Sequence, residues 1–292
     1  MRAASATWRP RSRCSRPVPA ASVPRRVSRS SRLLTRGAAR RPVAATYRVR
    51  ALALRKTKLG ESDLIVTLLA ADGCQIRAVA KGARKTKSRF GARLEPFSVA
   101  DLMLSPGRSL EIVTEAETVT SHDALRSDYD RLRAASVIAD FLDKVSVECQ
   151  AEERLFALAT ATLDAIEVSE IADLRSLVVA FLVKGMAMQG YRPQLAACAC
   201  CASATDPGDV RFSLAAGGVV CLACAGADLS VVPVASDVPV VMDALIRTRL
   251  ADISELGVPE AAMNDTFRLV KAFVSYHLPA RMKALDAYLR EG

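Results

Sequence analysis

Tyr47-Arg48-Val49-Arg50-Ala51-Leu52-Ala53-Leu54 is where a regular pattern begins in this chain. Apolar and polar residues alternate there with a period of two, the mark of a strand. Arginines fall on one face and small apolar residues on the other. Downstream, Leu59-Gly60-Glu61-Ser62-Asp63 breaks the pattern, and Leu64 to Ala70 is a second, β-branched strand. Asp72-Gly73 is a hairpin signal, Gln75 to Lys81 a third strand, and Gly82 its end. Phe97 to Leu104, the turn Ser105-Pro106-Gly107, and Leu110 to Glu117 complete a set of five short strands over residues 47–120. That number of strands in so short a stretch suits a small barrel of the OB or SH3-like kind.

Between the third and fourth strands runs Lys81-Gly82-Ala83-Arg84-Lys85-Thr86-Lys87-Ser88-Arg89-Phe90-Gly91-Ala92-Arg93, with six cations and no acid. Glycines let the backbone come close to a phosphate chain, and Phe90 is placed to stack on a base. The competing reading is a solvated loop whose Phe90 folds into the core. Contact with DNA or RNA is the expectation, through Lys81, Arg84, Lys85, Lys87, Arg89, Phe90 and Arg93, with Arg50 on the first strand. Base-specific readout is not expected, because nothing resembles a recognition helix.

Upstream, residues 1–46 hold twelve arginines and no acid, with no apolar periodicity, and are expected to form no packed structure. Three readings compete: a nucleic-acid-binding arm, an organelle transit peptide, and sequence lying upstream of the working start. The stretch has no continuous apolar core of the secretory kind.

Beyond residue 120 the period changes. Ser121 or Asp123 caps a helix on which Leu125, Tyr129, Leu132, Ser136, Ala139 and Leu142 follow at helical spacing. Glu152 to Ile166 and Ile171 to Gln189 read as two more helices. Leu177 to Val183 is apolar all round, so that helix should be central. Ser236-Asp237-Val238-Pro239 opens a helix running to about Leu250, and Asp265 to His277 and Pro279 to Arg290 close the chain. Ser121-His122-Asp123 has the residue types of a catalytic trio, but three consecutive residues cannot each aim at the next. His277, set among Phe273, Tyr276 and Leu278, reads as structural.

Cys198-Ala199-Cys200-Cys201 and Cys221-Leu222-Ala223-Cys224 form two C-x-x-C knuckles separated by nineteen residues. This spacing fits a structural tetrathiolate zinc site. Cys198, Cys201, Cys221 and Cys224 are the expected ligands, Cys200 being the competitor within the first knuckle. Asp206-Pro207-Gly208 and Gly217-Gly218 supply turns for a hairpin with Val210 to Leu214 as a strand, so a zinc ribbon is expected at about 195–230. Cys14, Cys74 and Cys149 are isolated, which suits a reducing cytoplasm.

Composition bounds the remaining classes. The 292 residues carry a net charge of +10, unevenly: +12 over 1–46, +5 over 47–120 and −7 over 121–292. So polarised a chain points to different partners for its parts. No apolar run reaches the ~18–20 residues of a membrane span, and eight cysteines are too few for a disulfide scaffold. There is no G-x-x-x-x-G-K-[ST], no Rossmann glycine set and no carboxylate constellation beside a metal site. The expected activity is assembly rather than covalent chemistry.

Taken together, several blocks resemble the RecO family of bacterial recombination mediators. They are Tyr47 to Leu54 with Gly60-Glu61-Ser62-Asp63 and Val66-Thr67-Leu68-Leu69, then Ala78 to Arg84, Ser88-Arg89-Phe90-Gly91 and Leu94-Glu95-Pro96-Phe97. The resemblance continues through Leu195-x-x-Cys198-x-x-Cys201, Gly217-Gly218-Val219-Val220-Cys221-x-x-Cys224 and Tyr276-His277-Leu278, covering roughly 47–290. It implies an α+β chain: an OB-fold domain at 47–120, then a helical domain at 121–292 carrying an inserted zinc ribbon. It further implies binding of single- and double-stranded DNA, annealing of complementary strands, and work with RecR in the RecF pathway. The outcome is RecA loaded onto single strands coated by the single-strand-binding protein SSB, in the bacterial cytoplasm at the nucleoid. SSB is contacted through its acidic C-terminal tail by the helical domain, where Arg126, Arg131 and Arg133 are available cations.

Three rivals stand beside this reading. A zinc-dependent enzyme acting on nucleic acid would need H-x-E before P-C-x-x-C, which neither His122 nor His277 supplies. An RNA-binding protein built from an OB barrel and a zinc ribbon shares the charge pattern. A transcription regulator would require sequence-specific binding.

Overall fold

The computed structural model describes residues 46–85, 88, 90–146, 152–206, 208–226 and 228–290. Residues 1–45, with all readings of that segment, lie outside the described residues, as do Lys87 and Arg89.

Five strands close a barrel: β1 (Tyr47–Leu59), β2 (Asp63–Ala70), β3 (Gln75–Ala80), β4 (Val99–Ser105) and β5 (Glu111–Thr120). Their order around it is β1-β2-β3-β5-β4, closed by β4 on β1, and every pairing is antiparallel except a short parallel one of Ala78 and Val79 with Glu111 and Ile112. This is an OB-like barrel. Its interior takes Ala51 and Ala53 from β1, Val66 and Leu68 from β2, and Leu102 and Leu104 from β4.

The alternation read in β1 holds only halfway. Arg48 and Arg50 are exposed, but Leu52 and Leu54, on the same face, are buried in the second core formed with the helices. The strand is thus apolar on both sides where the two parts of the molecule meet. A bulge between Ala53 and Arg55 follows, bending the strand, and β1 continues five residues past Leu54 with Arg55, Lys56 and Lys58.

The helical part contains α1 (Asp123–Ser127), α2 (Tyr129–Val145), α3 (Glu153–Val168) and α4 (Leu174–Met188). One helix was expected from residue 121 to 142; Asp128 divides it. Its backbone is extended and its carboxylate accepts the Arg131 N–H at 2.9 Å, which makes it the N-cap of α2. Leu177 to Val183 of α4 is completely buried, as its apolar circumference requires. Phe141 and Phe181 meet edge to face at 5.4 Å, and α2 crosses so near that a Cβ on Gly185 would stand 2.7 Å from the Phe141 ring.

An insertion follows α4: β6 (Arg211–Ser213), β7 (Gly218–Val220), α5 (Leu222–Ala225) and β8 (Val231–Pro233), the strands forming one sheet in the order β7-β6-β8. The chain then returns to the body with α6 (Val238–Arg247), α7 (Glu260–His277) and α8 (Lys283–Arg290). The last helix begins four residues later than expected, where the Asp140 carboxylate of α2 accepts the Ala284 N–H at 3.0 Å. Among the described residues no helix is long and apolar enough to cross a membrane.

Barrel and helices are joined at His122. Its ring is buried, Nδ1–H donates to the Phe97 carbonyl at 2.8 Å, and Nε2 lies 2.9 Å from Asp164 of α3. Ser121 meanwhile donates to Asp123 at 3.0 Å, so the three neighbours aim apart. Arg126 donates to the Pro96 and Ser121 carbonyls at 2.8 and 2.7 Å.

Candidate nucleic-acid interface and candidate metal centre

The loop after β3 leaves the barrel at one end. Lys81, Arg84 and Lys85 are exposed there, and Arg93 is exposed further along. Lys81, Gly82, Lys85 and Ser88 border a groove of about 540 Å³ whose other wall is Ile112 to Thr114 of β5. Phe90 forms part of the groove's lining but is only 3% exposed, seated in the barrel core with Leu94, Leu102 and Leu104. The expectation that Phe90 stacks on a base is therefore corrected. An aromatic ring with both faces in a core has none to offer.

Arg50 is not brought to this loop. It forms a two-pronged ion pair with Asp101 of β4, at 2.7 and 2.8 Å, and Asp101 stands opposite Glu117 of β5. The Asp101 carboxylate beside it raises the Arg50 guanidinium further above its ordinary value and is itself lowered. The Arg50 carbonyl accepts from Ala71, at the β2–β3 turn. The basic loop lies at the other end of β2, about 20 Å along the strand at ~3.4 Å per residue.

The extension of β1 supplies what sequence reasoning missed. Lys58 faces Leu64, which faces Ala80, so the exposed Lys58 stands at the loop end of the barrel. Lys56, beside it, pairs with Glu95 at 2.5 Å. Continued β-compatible residues up to Gly60 were the available signal.

The three arginines offered for an acidic tail are mostly engaged within the fold. Arg126 holds the barrel joint, and Arg131 donates to the Ile166 and Glu167 carbonyls at the end of α3. Arg133 donates to the Tyr288 carbonyl at 3.0 Å and lies against the Tyr129 and Tyr288 rings. It also lines, with Arg175, Met263 and Tyr288, a cavity of about 470 Å³.

In the insertion, the two knuckles converge. The sulfur atoms of Cys198, Cys201, Cys221 and Cys224 all lie within 4.8 Å of one another, Cys201 and Cys221 at 3.7 Å. A tetrahedron with Zn–S bonds of about 2.3 Å has edges of about 3.8 Å, so the donor set fits zinc. Cys200 is exposed and outside the group. Gly218 makes the approach possible: a Cβ there would stand 2.4 Å from the Gln194 carbonyl oxygen.

Burial pushes the Cys198 thiol up, but N–H groups of Cys221, Cys201 and Cys200 outweigh it and bring it down to about 6. The Cys224 N–H and the Ser203 hydroxyl hold Cys221 below the usual thiol value, whereas burial and the neighbouring thiols raise Cys224. Four sulfur donors this close, with Cys198 and Cys221 shifted toward the thiolate, suit a divalent cation, which binds thiolates. His277 of α7 donates from Nε2 to the Leu214 carbonyl of the insertion at 2.8 Å, and its ring rests on Tyr191 at 4.4 Å. Burial lowers His277, partly countered by the Leu214 bond.

An OB-like barrel with a cationic end, followed by a helical domain with a four-thiol insertion, defines a class of nucleic-acid-handling proteins. The family model for Recombination protein O N terminal matches residues 44–122, and that for Recombination protein O C terminal matches 126–286. A DNA repair protein RecO of Nocardioides sp. (strain ATCC BAA-499 / JS614) is 38% identical over 244 residues, spanning 82% of this chain and 97% of that protein. The chain belongs to the RecO family.

Proposed function

We propose that this protein acts in recombinational DNA repair as a non-enzymatic mediator. It binds single- and double-stranded DNA, anneals complementary strands, and works with RecR to load RecA onto SSB-coated single strands. The DNA-binding part is 47–120, and 121–292 carries the partner contacts and the ribbon. The observation that carries this reading is the exposed cation group of Lys81, Arg84 and Lys85 at one end of the barrel. Annealing brings two polyanions together; such a surface lowers their repulsion and binds without regard to sequence by releasing counterions. Arg93 and Lys58 extend the face, Lys87 and Arg89 add charge to the same loop in the sequence, and Arg50 contributes least because Asp101 neutralises it.

The four thiolates hold zinc, which supplies a cross-link between the knuckles. The cavity bordered by Arg133, Arg175, Met263 and Tyr288 receives the acidic, aromatic-ended SSB tail, offering cations and apolar surface together. The workplace is the bacterial nucleoid. The test is annealing of SSB-coated complementary oligonucleotides by the full chain and by residues 47–292, with RNA as competitor. Annealing by both, resistant to RNA, is expected. Failure of both with the fold intact, or preferential capture of RNA, contradicts the reading.

A further inference from the structure

The turn between β1 and β2 and the root of the basic loop are bound to each other. Asp63 Oδ1 accepts the Gly82 N–H at 2.8 Å and the Ser62 hydroxyl at 2.8 Å. The Arg84 N–H donates to the Ser62 carbonyl at 2.9 Å. Its guanidinium donates to the Glu61 and Gly60 carbonyls at 2.8 and 3.1 Å. Gly82 has a φ of +65°, a left-handed conformation open to glycine, and its carbonyl accepts the Lys85 N–H at 3.1 Å. The segment from Lys81 to Lys85 is thus a tight turn, and among the described residues the side chain that clamps one of its backbone N–H groups is a carboxylate.

A negative side chain beside a phosphate-binding surface weakens binding by repulsion if charge alone matters. We propose that Asp63 is a positioning residue that strengthens DNA binding, because by holding Gly82 it presents Lys81 and Lys85 in one fixed orientation to the phosphate chain. The inference rests on the reading of the basic loop as the DNA face. Ordering two long cationic side chains before DNA arrives reduces the entropy lost on binding. The Gly82 N–H and the Ser62 hydroxyl, with Lys81 and Lys85 adding less, keep the Asp63 carboxyl below the usual range against a small opposing effect of burial. The acceptor therefore remains charged throughout the neutral pH range.

The experiment compares the full chain with D63N, D63A and K81E/K85E in binding to fluorescent oligo-dT over a series of salt concentrations. D63N removes the charge and keeps an oxygen acceptor; D63A removes both. The expected order of affinity is D63N, wild type, D63A. D63A should fall about fivefold below wild type, the size of one lost hydrogen bond. Its log–log salt slope should flatten by about 0.7 for each phosphate contact given up, a readout that a loss of fold stability alone would not move. D63L, which likewise has neither charge nor acceptor, serves the same comparison if D63A folds poorly. D63A binding as tightly as D63N overturns the positioning role, provided K81E/K85E has lost affinity. If K81E/K85E binds like wild type, the DNA-face reading has failed instead.

Discussion

The barrel and the four-thiol insertion are both small β-structures, yet they are held together by opposite means. The barrel closes five strands over fourteen buried residues, including Phe90, Leu94, Leu102 and Leu104. The insertion has three-residue strands, and its own buried cluster is Cys198, Val220 and Ala225. Its remaining anchors are borrowed from the helical body: Phe212 packs edge to face on Phe273 at 5.7 Å, and His277 binds the Leu214 carbonyl. One region is stabilised by burying apolar area; the other is too small for that, and its four clustered thiols are placed to accept a metal cross-link instead.

Stripping the metal should separate the two most. Chelation or Cys221→Ser is expected to lose most of the ribbon's local stability, structural zinc being worth about 10–16 kcal/mol in isolated finger peptides. Amide exchange should then rise across 198–225 while β1 to β5 stay protected; unchanged exchange in the knuckles would break the comparison. Phe90→Ala acts on the other side. It should cost about 3–5 kcal/mol of barrel stability, read as a lower denaturation midpoint with metal content intact. Loss of single-strand affinity without any change in that midpoint would return Phe90 to a stacking role.

Smaller still is the pH effect at the ribbon's anchor. His277 has its folded pKa lowered from 6.5 by burial, so the folded state favours the neutral ring. The stability it contributes is complete above about 6.5 and declines as pH falls toward the lowered value. Between pH 7.5 and 5.5 the melting temperature of wild type should therefore drop more than that of His277→Gln, which cannot titrate. Equal drops would place the acid sensitivity elsewhere.

Much of this was legible in the residues. Alternation in the first strand, β-branched content in the second and turn signals between the rest located all five strands, and the all-round apolar run Leu177 to Val183 identified the central helix. The C-x-x-C spacing named the four thiols that converge, because two tight turns leave little freedom in where sulfurs point. What stayed hidden depended on tertiary packing. Arg50 looked like a phosphate contact until Asp101 appeared across the sheet. Phe90 offered two fates, base or core, that local sequence treats alike. Lys58 was missed because a bulge carries β1 beyond the point where the alternation fails. Asp63 looked like a turn residue, and its hold on Gly82, nineteen positions on, follows only from strand pairing.

The central claim is that the cations at the loop end of the barrel bind single-stranded DNA. The most direct measurement is the affinity for oligo-dT of a variant with Lys81, Arg84, Lys85 and Arg89 all changed to Glu, beside Arg50→Glu, at matched salt. The loop variant should lose binding while keeping its helical content, and Arg50→Glu should change affinity far less. Retained affinity in the loop variant, or an equal loss in both, would contradict the account.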